Sequence, residues 1–218
     1  MADETPSAAD RFEPISEHDS KSLLKPRVPA LVVSNSDDHG PNVMTAAWWM
    51  LGGYNPFRYV LAVDQREYTH QIIQENPEFV LATPTTEMVD ALSLCGSVSG
   101  RDIDKIEHLG LETIPGEGVD VPLLADAVGN IECRVLETFA FEGCTYFIAG
   151  VENAYVQPDA LNGRILSADA SPLAFMGSDW DQADDDHKYR YYLEFEDEHV
   201  DRYHDADILE TLPDDVGE

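Results

Sequence analysis

Two segments near the middle of the chain do most to limit its fold. Residues 130–143, NIECRVLETFAFEG, and residues 144–156, CTYFIAGVENAYV, are long runs rich in β-branched and aromatic side chains, and they meet at Gly143. Such residues suit a pleated, half-buried surface, and a glycine between two such runs marks a turn. Further strand-like runs are VPALVVSNS (residues 28–36), VMTAAWWML (43–51), RYVLAVD (58–64) and EFVLAT (78–83). The turn chemistry of DDHGPN makes residues 28–36 and 43–51 the arms of a predicted hairpin. Between the third and fourth runs the period changes. Thr69 is placed to cap a short helix carrying Ile72 and Ile73, which Asn76-Pro77 ends. Thr85-Thr86 opens a second helix with Met88, Ala91, Leu92 and Cys95 at helical spacing and Gly96 as its stop. Residues 102–109 make a third, closed by Gly110. Strands dominate, and no strand alternates with a long helix. The expected architecture is therefore a mainly β (α+β) barrel with short peripheral helices, not a doubly wound α/β sheet.

Charge limits the partners. The 218 residues hold 43 acidic and 13 basic side chains, a formal net charge of −30, and arginine outnumbers lysine nine to four. Disordered acidic tracts lack apolar residues, whereas 43% of this chain is hydrophobic. The composition predicts a folded, halophilic protein, stable where salt screens its self-repulsion. No basic stripe is present to neutralise phosphates, so neither nucleic acid nor an anionic membrane is an expected partner. No run of about 18 apolar residues occurs, and the first ten residues lack a charged-then-apolar leader. The expected location is cytoplasmic. Cys95, Cys133 and Cys144 are too widely spaced for a metal knuckle and are expected to pack as small apolar residues. The predicted organisation is a flexible arm over 1–20, one domain over 21–180 and an acidic extension over 181–218. Within the extension, YRYYLEFED alternates as a strand would. His199, Asp201, His204 and Asp205 lie close in sequence, but the histidines are five apart and diverge on a helix; a solvated acidic surface is expected there.

No glycine-rich dinucleotide fingerprint, Walker motif, Gly-x-Ser-x-Gly or His-Glu-x-x-His is present. What stands out is Thr45-Ala46-Ala47 followed by Trp48 and Trp49. Small residues let a flat ligand lie against backbone N–H and C=O groups. One of the two indoles can cover its apolar side, because strand neighbours face opposite ways. Asn42 adds a donor and an acceptor. The competing reading is a hairpin whose tryptophans simply fill the barrel. Arg66 stands at a strand end just before the helix at Thr69, beside free N–H groups and a positive dipole end, as a phosphate site would require. A surface arginine paired with a carboxylate explains it equally well. SVSGRDIDK (97–105) repeats the theme with hydroxyls, Gly100, Arg101 and Lys105, or is a loop with an intrahelical ion pair.

The succession RVPALVVSNSDDHGPNVMTAAWWM, EYTHQIIQENPEFVLATP, SGRDIDKIEHLGL, VPLLADAVGNIECRV, YFIAGVENAYV and SPLAFMGSDW, over residues 21–180, resembles the flavin reductase-like, FMN-binding split-barrel family. The resemblance implies a six-stranded Greek-key split barrel, a homodimer, and non-covalent FMN (or FAD) near the dimer interface. It implies hydride uptake from NADH or NADPH and delivery of electrons to free flavin, a partner oxygenase or another acceptor. No side chain need act as nucleophile or base, because the flavin carries the chemistry. Carried onto this chain, the ring lies along Asn42, Met44, Thr45, Ala46, Ala47 and Trp48. The phosphate meets Arg66, Tyr68 and Thr69, with Ser99, Arg101 and Lys105 near the phosphate or ribityl chain. CTYFIAG lacks the histidine that some members carry before that strand, which leaves open a non-enzymatic FMN-binding protein or electron carrier.

Overall fold

The computed structural model describes residues 13–162, 165–166, 170, 173–179 and 189–194. Seven strands form one antiparallel sheet in the order β2-β1-β5-β8-β9-β4-β3. They are β1 Ala30–Ser34, β2 Asn42–Ala46, β3 Trp49–Tyr54, β4 Phe57–Asp64, β5 Glu78–Thr83, β8 Gly129–Phe141 and β9 Cys144–Val156. The two edge strands, β2 and β3, are joined by only Ala47 and Trp48. A sheet whose opposite edges are two residues apart in sequence must curl back on itself, and the result is a split barrel. The predicted strand over 43–51 thus breaks at this corner, and seven strands appear where six were expected. A closed sheet has to bend sharply somewhere, and small Ala47 sits at the bend.

The expected long hairpin is β8–β9, paired from Gly129–Val156 to Phe141–Cys144. Its turn places Glu142 and Gly143 at φ 46° and 82°, the doubly positive pattern that matches strand twist. The short helices are α1 Glu17–Ser20, α2 Tyr68–Glu75, α3 Val89–Cys95 and α4 Lys105–Leu109. Helix α4 begins three residues later than its predicted start, because the carboxylate of Asp104 accepts the Glu107 N–H and caps it. The expected Thr69 cap is not formed: Glu67 precedes α2 without a side-chain cap, and Thr69 lies inside the helix.

Two-residue alternation divides the core. On β1, Ala30 and Val32 face the barrel interior with Leu61, Phe79, Leu81 and Phe147. Leu31 and Val33 face outward, where Val80, Ala82, Leu92 and Val119 cover them. Both β1 and β5 are therefore buried on two faces, which is why their sequences read as unbroken apolar runs. Two short pairs, β6 Thr113–Ile114 with β7 Leu123–Leu124 and β10 Leu161–Asn162 with β11 Ile165–Leu166, decorate the barrel. The loop before β7 is fastened by carboxylates. Fully buried Glu132 accepts from the N–H groups of Glu117 (2.7 Å) and Gly118 (2.9 Å) and from Asn153 (2.6 Å). Glu78 accepts from Asp120 N–H and pairs with Arg134. Strand β12, Leu173–Asp179, pairs with β13, Tyr189–Glu194, the strand expected in YRYYLEFED. The His199–Asp205 cluster lies outside the described residues. Among the described residues no helix is long and apolar enough to cross a membrane, and no group of three or more His, Cys, Asp or Glu side chains is arranged to hold a metal ion.

Candidate functional site

The corner between β2 and β3 is also the wall of a cavity of about 450 Å³, inside the roughly 300–1,000 Å³ range of small-molecule sites. Met44, Thr45, Ala46, Ala47 and Trp48 form one side; Tyr68 and Thr69 of α2 form another; residues 95–100 and Lys105 close it. Of the twelve residues singled out from sequence, nine line this cavity: the five of the small-residue strand, Tyr68, Thr69, Ser99 and Lys105. Asn42 stands just behind it, its amide donating to Thr69 Oγ1 at 2.9 Å. Thr45 turns the other way and donates its hydroxyl to Leu92 C=O (2.6 Å), tying the strand to α3.

The two indoles separate. Trp49 packs toward the barrel, its ring 6.1 Å from that of Tyr59 and its Nε1 donating to Val28 C=O at 3.0 Å. Trp48 is 61% exposed and stands at the mouth of the cavity. The core-filling reading thus holds for one tryptophan and not for the other.

The basic residues separate too. Arg66 does not line the cavity. Its side chain is 90% exposed and its fork is closed on Asp64, with Nε to Oδ1 at 2.9 Å and Nη2 to Oδ2 at 2.7 Å. Those hydrogen bonds, with one from the Arg66 backbone N–H, hold the Asp64 carboxyl down at about 2. Arg101 lies outside as well, its guanidinium 4.9 Å over the Tyr68 ring and bonded to Arg66 C=O and Gln71. His39 meets the same ring edge-on at 5.4 Å. Tyr68 is therefore fixed by two neighbours.

Lys105 is different. It is 4% exposed, lines the cavity, and among the described residues its ammonium has one long contact, Nζ to Val98 C=O at 3.4 Å. Burial lowers its pKa, while Cys95 and Glu67 pull it back up. A buried ammonium has three donors to satisfy, and a nearly unsatisfied one is costly unless an anion joins it. Burial pushes the Cys95 thiol up to about 11, so it is no nucleophile at neutral pH. Gly100, named from the sequence with the hydroxyls of its loop, lines the cavity too, and the structure adds a packing reason for it. A Cβ there would overlap the Asn42 side-chain oxygen and stand 2.8 Å from Tyr68 Cδ1, so only glycine lets this loop close against α2. Sequence reasoning missed Ala62, Val63, Asp64 and Glu67, which line the cavity from β4 and the start of α2. Nothing local in the β4 run distinguishes these from ordinary strand residues.

A split barrel with a small-residue strand, a helix start and a buried cation around one cavity defines a class of ligand-binding barrel. Residues 24–183 match the family model described as the flavin reductase like domain, and the chain belongs to that family. It is 30% identical over 179 residues to the uncharacterized protein YddH of Escherichia coli, covering 81% of this chain and 87% of that one. Among solved structures it resembles a flavoredoxin from Methanosarcina acetivorans at TM-score 0.71 and 25% identity, over 86% of this chain and 92% of the other. The fold also matches the NADH:FAD oxidoreductase SgcE6 of Streptomyces globisporus at TM-score 0.59 and 20% identity, over 67% and 89%.

Proposed function

We propose that the chain is an FMN-dependent oxidoreductase of the flavin reductase type, passing electrons from NADH or NADPH to free flavin or another acceptor. The observation that carries this reading is Lys105: a buried ammonium, nearly unpartnered, facing a cavity walled by Met44–Trp48. An anionic ligand with a flat ring suits that combination of cation and small-residue wall. FMN has both parts, and the family is that of flavin reductases. FMN would supply the redox chemistry, and FAD is the related alternative.

The chain's own residues would bind and orient it. Met44 to Ala47 would present backbone groups to the ring, and Trp48 would shield the open side. Lys105, Ser99, Tyr68 and Thr69 would meet the phosphate and its chain. Asn42 and Arg101 would support Thr69 and Tyr68 from behind. Arg66 would act at longer range, because Asp64 already occupies its fork.

A homodimer is part of the proposal. Leu51, Tyr54, Phe57, Phe139 and Phe141 are large, apolar and exposed on β3, β4 and β8, a surface that suits a second copy. The test is the visible spectrum of the protein purified in molar salt and mixed with FMN, followed by addition of NADH or NADPH. Uptake of FMN with nucleotide oxidation is expected. A colourless protein that oxidises neither nucleotide rejects the proposal.

The second reading is a flavin-binding electron carrier. Gly143 and Cys144 occupy the sequence positions at the start of β9 where some members carry a histidine, and the histidine that does reach this strand, His70 of α2, is already bonded to Thr145 Oγ1 at 2.9 Å. Bound FMN that accepts electrons from a ferredoxin-like donor but not from NADH or NADPH would select this reading.

A further inference from the structure

A second cavity of about 550 Å³ lies on the other side of Trp48. Trp48, Trp49, Met50, Val60 and Tyr146 line it with Arg27, and it shares Ala47, Trp48 and Ala62 with the first. Its wall is thus aromatic and aliphatic, with one fixed charge. Arg27 is held in place at both ends. Its backbone exchanges two hydrogen bonds with Phe175 of β12, N–H to O at 3.1 Å and O from N–H at 2.6 Å. Its guanidinium donates from Nε to Leu24 C=O (3.1 Å) and from Nη1 to Ala47 C=O (3.3 Å).

Two of the five guanidinium N–H groups are used in this way, and the remaining donors have no carboxylate partner among the described residues. Arg27 thus shares the cavity lining with the aromatic residues and carries donors that no described carboxylate takes up. Planar guanidinium forks match carboxylates in two-point geometry. Rings on the cavity wall favour a flat apolar body, which can pack by offset or edge-to-face contact.

We infer that the second cavity binds a small planar aromatic carboxylate, its ring among Trp48, Trp49 and Tyr146 and its carboxylate on Arg27. Binding there would set the ligand's ring across Trp48 from whatever fills the first cavity. The inference goes beyond the proposed function and does not require FMN.

The probe is 2-naphthoate, compared with neutral 2-naphthamide by titration calorimetry on the full chain. The acid is expected to bind about tenfold more tightly, as one charge-assisted contact provides. Arg27→Gln should bring the two affinities together, and Arg27→Lys should restore part of the difference. Equal affinities in the wild type overturn the inference, as does a preference that survives Arg27→Gln. Should Arg27→Gln not fold, the wild-type comparison decides alone. FMN uptake is followed separately through flavin fluorescence. Displacement of naphthoate by FMN, one for one, places both in a single site and overturns the inference. Naphthoate preference without FMN uptake supports it while rejecting the flavin reading.

Discussion

Asn42 and Thr69, one on β2 and one on α2, are both buried and joined by a single hydrogen bond from the Asn42 amide to the Thr69 hydroxyl at 2.9 Å. This bond sets the helix against the strand directly behind the cavity. Gly100 packs on the same asparagine, so the pair also fixes the loop that carries Ser99.

Thr69→Val removes the acceptor and leaves a buried amide unsatisfied, at a cost of about 1–3 kcal/mol. Thr69→Ser keeps the acceptor and should lose much less. Urea denaturation of the three proteins compares them. Equal midpoints for Val and wild type would show that the bond contributes nothing.

Ligand affinity should depend on Lys105 more than on Arg66. Lys105→Met removes the buried cation and should weaken FMN binding by about 1.5–3 kcal/mol, the range for a hydrogen bond to a charged group. Arg66→Ala removes an exposed side chain already paired with Asp64, and its effect should be smaller. Fluorescence titration with FMN ranks the two. A larger loss at Arg66 would return the anchor to the helix start.

Acid titration tests the Asp64–Arg66 pair. Hydrogen bonds from the Arg66 guanidinium lower the Asp64 carboxyl from its ordinary 3.8 to about 2. A carboxyl depressed in the folded state favours folding above its unfolded value, and that contribution fades as pH falls from 3.8 toward about 2. Because the pair is largely exposed, the effect is small and salt weakens it. Carboxyl carbon shifts should therefore put the Asp64 midpoint well below that of Asp64 in Arg66→Ala. Coincident midpoints in the two proteins would contradict the pairing.

Salt is the last variable. At a net charge of −30, carboxylate repulsion is screened over roughly 3 Å in molar salt but over about 30 Å at 0.01 M. Dialysis into dilute buffer should unfold the chain, with loss of the β signal in far-ultraviolet circular dichroism. A native spectrum in dilute buffer would reject adaptation to high salt.

The strand pattern of this protein was legible from its residues because alternation is local. The unbroken apolar runs at β1 and β5 need only their own side chains to declare a strand covered on both faces. The small-residue run at 45–47 was visible for the same reason, and the long hairpin needed only a glycine between two β-rich segments. Where the chain breaks was not visible: VMTAAWWML reads as one strand, and only barrel closure bends it at Ala47 and Trp48.

The amino-acid sequence by itself determined the mainly β class, the apolar runs of the central strands, and the acidic composition, since each depends on neighbours along the chain. Tertiary structure alone decided which tryptophan stays open, which basic residue is buried in the cavity and which is neutralised beside it, and that Thr69 serves Asn42 instead of capping its helix. Those outcomes rest on contacts such as Asn42 with Thr69 and Thr45 with Leu92, between residues 27 and 47 positions apart. A partner so distant is chosen by how the sheet curls, and no short-range pattern encodes it.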